Sequence, residues 1–313
     1  KKLNNGIQVD ELNDILKRII VFGPNTIIFA SGRDKAGVTL PDDEMLRIIM
    51  YGVAKKQLSP YEDIALDKPL ISKSVRNGKV TKETKNTAMG AVEWTLSNGA
   101  KVVIKSTPFK QDEISFTGFS FGGKSVLSSS DWEATRGNII TSGLSEFNPT
   151  VLSRMLTGKK ANISTSISEL SQSISGNCSP KDLETMLQLA YLCFTEPRFD
   201  KDDFDVTLKR MKDNLKSQSS DPSTALRDTL NNLLNNYNPR ANALKETDLE
   251  KFDFQKMQEV YKQRFANPGA FTFIFVGNID IKTARPLIEK YLGGLSGNKK
   301  ENFKDNNFYP VKG

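Results

Sequence analysis

The stretch DEISFTGFSFGGKSV, Asp112 to Val126, decides the fold. Inside it, GFSFGGKS (Gly118 to Ser125) satisfies the phosphate-binding pattern G-x-x-x-x-G-K-[ST] letter for letter. As a phosphate loop it would wrap anions in backbone N–H groups and start a helix at Lys124-Ser125, aiming the positive helix end at them. As a strand running into a Gly-Gly turn it would belong to an antiparallel sheet. The neighbouring residues favour the strand. Ser130 with Glu133 three later makes a capping box, so the next helix is expected to start at Ser130, too far beyond Lys124 for its dipole to help hold phosphate. Phe119 and Phe121 continue the strand, and no apolar strand ending in an acid offers a Walker-B partner. Ile114 and Phe116 keep one alternation phase and Phe119 and Phe121 the other, which predicts a β-bulge at Gly118. A P-loop NTPase at Gly118 to Ser125 remains the minor alternative.

Upstream, AVEWTLSNGAKVVIK reads as a hairpin. Val92, Trp94 and Leu96 alternate, Ser97-Asn98-Gly99 supplies the turn, and Val102 and Ile104 alternate on the return. Downstream, SDWEATRGNIITSGL and PTVLSRMLTG read as helices, the second capped by Asn148 and opened by Pro149. KKANISTSIS and LSQSISGN form a second expected hairpin. Ser179-Pro180 then starts a helix with Leu183, Met186, Leu187, Ala190, Tyr191 and Phe194 on one face, ended at Glu196-Pro197. Three more helices follow, around Phe204 to Leu215, DPSTALRDTLNNLLNN and FDFQKMQEVYKQRF, before a closing strand and helix. Strands, helices, strands, helices and one last βα unit predict an α+β fold. The sheet is expected to be largely antiparallel, with helices packed on one side.

The closing unit, FTFIFVGNIDIKTARPLIEKYLGGL (Phe271 to Leu295), has an apparent twin near the start, NTIIFASGRDKAGVTLPDDEMLRIIM (Asn25 to Met50). Each runs strand, glycine, acid, helix, so one module is expected to end twice, roughly 245 residues apart. Residues 1–56 then read as the C-terminal end of a preceding module and 57–87, polar with Pro60, Pro69 and Gly78, as an extended linker. Residues 88–296 read as a complete module and 297–313 as the start of a following one.

Composition narrows the chemistry. Among 313 residues, 44 Lys and Arg against 37 Asp and Glu give a net charge of +7, but the basic residues come no denser than pairs such as Lys159-Lys160. A nucleic-acid partner, which needs a clustered stripe, is not expected. No run approaches the roughly 18 to 20 apolar residues of a membrane span. The chain contains no histidine. That excludes Ser-His-Asp and Cys-His catalysis and any imidazole zinc site. The two cysteines, Cys178 and Cys193, flank a helical segment that would hold them about 22 Å apart, too far for a disulfide. SGNCSPKDLETML could present Cys178 at a helix N-terminus, where a thiolate is favoured. Without histidine that thiol lacks an activating base. Asp42-Asp43 and Asp202-Asp203 lie at helix starts and read as caps.

The order W-x-L-x-N-G-x-x-V, a strand ending in Gly-Gly, DLETMLQLAYLCFTEPRFD and finally IFVGNID…LIEKYLGGL resembles the pitrilysin/insulinase family of zinc metallopeptidases. Mitochondrial processing peptidase and the core proteins of the cytochrome bc complex share this layout. Active members carry H-x-x-E-H on the first long helix after the opening strands, with a further glutamate as third zinc ligand. Here that helix is SDWEATRGNIITSGL, which lacks both histidines and holds Glu133 at its cap. The resemblance therefore carries over no catalytic, cofactor-binding or metal residue.

What it implies is a non-catalytic segment of a larger zinc metallopeptidase, walling a chamber around extended peptides, with zinc in the catalytic half of the parent. The chain alone is expected to be inactive. Its implied partners are peptide substrates and the catalytic half, on the same polypeptide or on a partner subunit. Peptides would be held partly by strand addition to a sheet edge that the sequence does not identify. The alternative is a stand-alone, non-enzymatic scaffold or binding protein of the same fold.

Overall fold

The computed structural model describes residues 6, 8–19, 26–32, 37, 39–57, 68–136, 139, 141–218, 221–297 and 303–304. The chain divides into two compact units, Lys1–Asp63 and Ile64–Gly313. In the first, α1 (Val9–Ile19) and α2 (Asp43–Lys55) are amphipathic. Asp42 caps α2, accepting from the Met45 N–H at 2.8 Å, as its place before an apolar-periodic run requires. The strand expected near Asn25 is not formed in residues 26–32, where Ile27 and Phe29 are 93% and 86% exposed. A strand exists only by pairing, and none of the described residues of this unit is in strand conformation.

The second unit holds one seven-stranded sheet among its described residues. In chain order the elements are β1 (Val80–Asn86), β2 (Ala91–Leu96), β3 (Lys101–Ser106), β4 (Ile114–Phe121), α3 (Ser129–Ala134), α4 (Pro149–Met155), β5 (Ala161–Ile167), β6 (Ser171–Cys178), α5 (Leu183–Thr195), α6 (Lys201–Gln218), α7 (Pro222–Leu234), α8 (Phe254–Phe265), β7 (Thr272–Gly277) and α9 (Ile281–Tyr291). Across the sheet the order is β1-β2-β3-β7-β4-β6-β5. Every pair is antiparallel except β3 with β7. The expected α+β class and both hairpins hold.

One correction concerns 57–87: residues 80–86 of that expected linker are β1, paired along β2 from Asn86↔Ala91 to Val80↔Leu96. VTKETKN hid this by being polar on both faces, as an edge strand can be.

The second correction concerns Gly118. No bulge occurs: β4 runs in unbroken register against β6 and β7, and its burial alternates through Ile114, Phe116, Gly118 and Ser120. Phe119 and Phe121 instead face outward, meeting edge to face at 5.8 Å. The inward place at Gly118 is filled from the next strand by the Phe273 ring.

The core lies on one side of the sheet. Trp94, Ile104, Phe116, Ile174, Phe273 and Phe275 point inward against α5, α8 and α9. α5 packs on β5, β6 and α9, which is why it is buried around most of its circumference, from Leu183 to Cys193. The hairpin turn reaches the same core: buried Asn98 donates through Nδ2 to the carbonyls of Leu292 (2.8 Å) and Leu295 (3.0 Å), tying off the end of α9.

Candidate functional site

The residues of GFSFGGKS form the β4 end and a Gly-Gly turn, with positive φ at Gly122 (121°) and Gly123 (51°). All four N–H groups that could cradle a phosphate are already used. Gly122, Lys124 and Ser125 donate to the carbonyls of Leu170, Ser168 and Glu169, and Gly123 donates to the Gln172 side chain. The loop is a clasp on the β5–β6 turn. Lys124 points inward, 3% exposed, and its Nζ donates to the Thr135 carbonyl at 2.7 Å. Burial pulls its pKa down to about 8. The helix that follows begins later than a phosphate loop needs, but not where the sequence suggested. α3 is capped by Ser128, which accepts from the Asp131 N–H at 3.1 Å, and it ends after six residues. These features overturn the P-loop alternative.

α3 also stands where the family resemblance puts the zinc-binding helix. Glu133 is turned out to Lys251 at 3.2 Å, and Asp131 to Lys256 at 3.4 Å. Inward, the Trp132 ring lies between two guanidinium groups, Arg136 at 5.3 Å and Arg240 at 5.2 Å from its centroid. Its Nε1–H donates to both Glu169 carboxylate oxygens at 3.0 Å. Arg240 Nη1 donates to the Lys124 carbonyl at 3.0 Å and to Glu169 at 3.4 Å, while Arg136 pairs with Asp248 at 2.5 Å. The two carboxylates here, Glu169 and Asp248, are taken up by Trp132, Arg240 and Arg136, and no imidazole or thiolate stands beside them, so this place does not fit zinc. Among the described residues, no three His, Cys, Asp or Glu groups cluster as a metal would need.

The cysteine reading fails as well. Cys178 closes β6 and Cys193 lies within α5; both are free and buried. Burial pushes each thiol up to about 12, with the charge of Asp182 adding to the effect at Cys178. At neutral pH neither is a thiolate. The acids read as caps serve helix starts: Asp43 and Asp202-Asp203 lie in first turns, and Asp200 accepts from the N–H groups of Asp202 and Asp203.

A concave surface the sequence did not disclose runs beside β5. A cavity of about 300 Å³ lies between α4 and β5, lined by Leu144, Leu152, Leu156, Ile163, Leu189 and Tyr261. A second cavity of about 270 Å³, formed by Ile139, Ser166 and Ile167, shares Thr165 and Tyr261 with it. Together they make a trough along one border of the sheet. Tyr261 is held in its floor by donating to the Cys193 carbonyl at 3.1 Å. No helix among the described residues is long and apolar enough to cross a membrane.

Comparison with known proteins agrees with this architecture. Residues 251–312 match the family described as Peptidase M16 inactive domain. The chain is 29% identical over 245 residues to a zinc protease PQQL-like protein of Arabidopsis thaliana, covering 77% of this chain and 23% of that one. It thus spans about a quarter of that relative's length. Among solved structures, the periplasmic protease PqqL from Escherichia coli superposes with a TM-score of 0.64 at 18% identity, over 83% of this chain and 29% of that one. The ferredoxin protease FusC, solved in complex with Arabidopsis ferredoxin, gives 0.61 at 16% identity, over 88% and 30%. Sequence and fold together relate this chain to the M16 metallopeptidases, those of pitrilysin and insulinase type, and its residues 251–312 match their inactive domain.

Proposed function

We propose that this chain is a non-catalytic segment of a zinc metallopeptidase, supplying a wall that encloses extended peptide substrates. The observation that carries the reading is the Lys124–Trp132–Arg136–Arg240 cluster, which stands at α3 in place of any metal-binding set. On this reading residues 1–56 close a preceding module, the complete module runs to residue 296 and includes β1 at 80–86, and 297–313 begin another. Zinc, and the acid and base that hydrolysis needs, would come from the catalytic half. That half is the first partner, and the peptide or protein substrate is the second.

Metal analysis of the isolated chain is expected to find no stoichiometric zinc, and the chain is expected to hydrolyse no peptide. One tightly bound zinc per chain would overturn the proposal. The full-length gene product is expected to encode H-x-x-E-H upstream of this segment, and its absence there would favour a non-enzymatic scaffold.

A further inference from the structure

α7 is turned the opposite way to an ordinary surface helix, which buries its apolar stripe and shows its polar residues to water. Leu226, Leu230, Leu233, Leu234 and Tyr237, the last just past the helix end, are between 48% and 64% exposed. The half-buried side consists of Thr224, Asp228, Asn231, Asn232 and Asn235. This inversion has a local cause. The chain leaving α7 presents carbonyls that an amide side chain can bond and a leucine cannot. Asn231 donates through Nδ2 to the Ala241 carbonyl at 2.6 Å, and Asn235 through Nδ2 to the Asn231 carbonyl at 2.8 Å. Arg136 holds the same loop by donating to the carbonyls of Asn242 (2.6 Å) and Ala243 (3.0 Å). The asparagines thus fix α7 with its leucines outward.

Spacing and charge say what this face fits. Leu226, Leu230 and Leu233 follow at intervals of four and three, the seam along which two helices interlock. An extended strand, with its period of two, does not match that seam. A lipid surface calls for basic residues along the polar flank, whereas the one cation of α7, Arg227, lies 3.9 Å from Asp228. A second copy of the chain carries the same uncharged seam, so no like charges meet, and a two-fold pairing closes on itself.

We propose that α7 is a contact between two copies of this chain, paired antiparallel through their leucine seams. In that register Leu230 faces Leu233 of the second copy and Leu226 faces its Tyr237. The antiparallel arrangement also sets the two helix dipoles head to tail. A thirteen-residue helix is only about 20 Å long, and its five apolar side chains bury less than the roughly 800 Å² per partner of a standard interface. The dimer is therefore weak, with a dissociation constant of roughly 10–500 μM. This inference goes beyond the non-catalytic reading and does not rest on it.

Sedimentation equilibrium of the 313-residue chain tests it. A reversible monomer–dimer equilibrium is expected. Leu230→Gln with Leu233→Gln should weaken it by at least roughly tenfold, since both side chains leave the seam. Leu12→Gln on α1, where the side chain is as exposed, should leave it unchanged. A melting scan establishes that the double variant is folded; if it is not, disulfide trapping decides alone. A mixture of the Leu230→Cys and Leu233→Cys chains, oxidised with glutathione disulfide, should give the mixed disulfide in preference to either self-pair. The native thiols of Cys178 and Cys193 are buried and do not compete. A chain that stays monomeric to about 500 μM, the weak end of the expected range, overturns the proposal. So does a dimer that the double variant leaves intact, or trapping without preference for the mixed pair. Monomeric chain that binds phosphatidylglycerol vesicles through these leucines would overturn it too and give the face to a membrane. No arm involves zinc or hydrolysis, so failure here leaves the non-catalytic reading standing, and zinc in the chain would sink that reading alone.

Discussion

A β-carbon placed on Gly118 would lie 2.5 Å from Cδ1 of Phe273 and 2.8 Å from Cγ2 of Ile174. The glycine is therefore required by the ring that crosses it from the neighbouring strand. Gly118→Ala should destabilise the second unit by about 1–3 kcal/mol in denaturant unfolding, and Gly118→Val by more. Phe121→Ser, on the outer face where the ring is 58% exposed, should change stability far less. Equal effects at the two positions would contradict this packing.

Lys124 makes stability depend on pH in a definite direction. Its folded pKa is lowered to about 8 from an ordinary 10.5, so between those values the unfolded chain binds a proton that the folded chain does not. Stability from this group rises with pH across that window. Cys178 and Cys193 act oppositely: raised from 9.0 to about 12, they make the folded state less favoured as pH climbs above 9. The clean window is thus about pH 8 to 9. Lys124→Met should abolish the rise there and leave the fall above it; a variant that keeps the rise would show that the lysine is not its source.

Magnesium-ATP should not shift the melting temperature. A ligand at a hundred times its dissociation constant stabilises by roughly 2.7 kcal/mol, well within reach of a thermal scan. The N–H groups of Gly122 to Ser125 are committed to the β5–β6 turn, so no such gain is available. A shift removed by Lys124→Ala would restore the nucleotide reading.

Asn98→Ala should cost about 2–3 kcal/mol, because it leaves the carbonyls of Leu292 and Leu295 without their side-chain donor at a buried site. Asn98→Asp should be at least as damaging, since it sets an acceptor against two acceptors. Urea midpoints at constant slope would measure both.

Several of these relationships were legible from sequence and others were not. The β2–β3 hairpin announced itself because one face is core and the other is wet, which writes alternation into Val92, Trp94 and Leu96. Gly118 misled for a physical reason: the core position it occupies is filled from β7, so beyond it the strand's apolar side chains are the outward Phe119 and Phe121, out of phase with Ile114 and Phe116. The capping box at Ser130 lost to Ser128, two residues earlier, and the helix it opens stops at Thr135, whose hydroxyl turns back to the Asp131 carbonyl. The trough was out of reach altogether. Its walls come from α4, β5, α5 and α8, and its character depends on β5 being a border, which no local pattern encodes.

The position of β7 has a consequence for how the chain acquires its shape. Among the described residues the last strand made is a central one, and it alone links the β1-β2-β3 half to the β4-β6-β5 half. Partners such as Lys101 and Thr272 are separated by roughly 170 residues, so the sheet closes through a very long loop. Until Thr272–Gly277 leaves the ribosome, β3 and β4 each carry an open, apolar edge. This stretch is where a chaperone would be most needed, and where a premature stop would leave two half-sheets prone to aggregation.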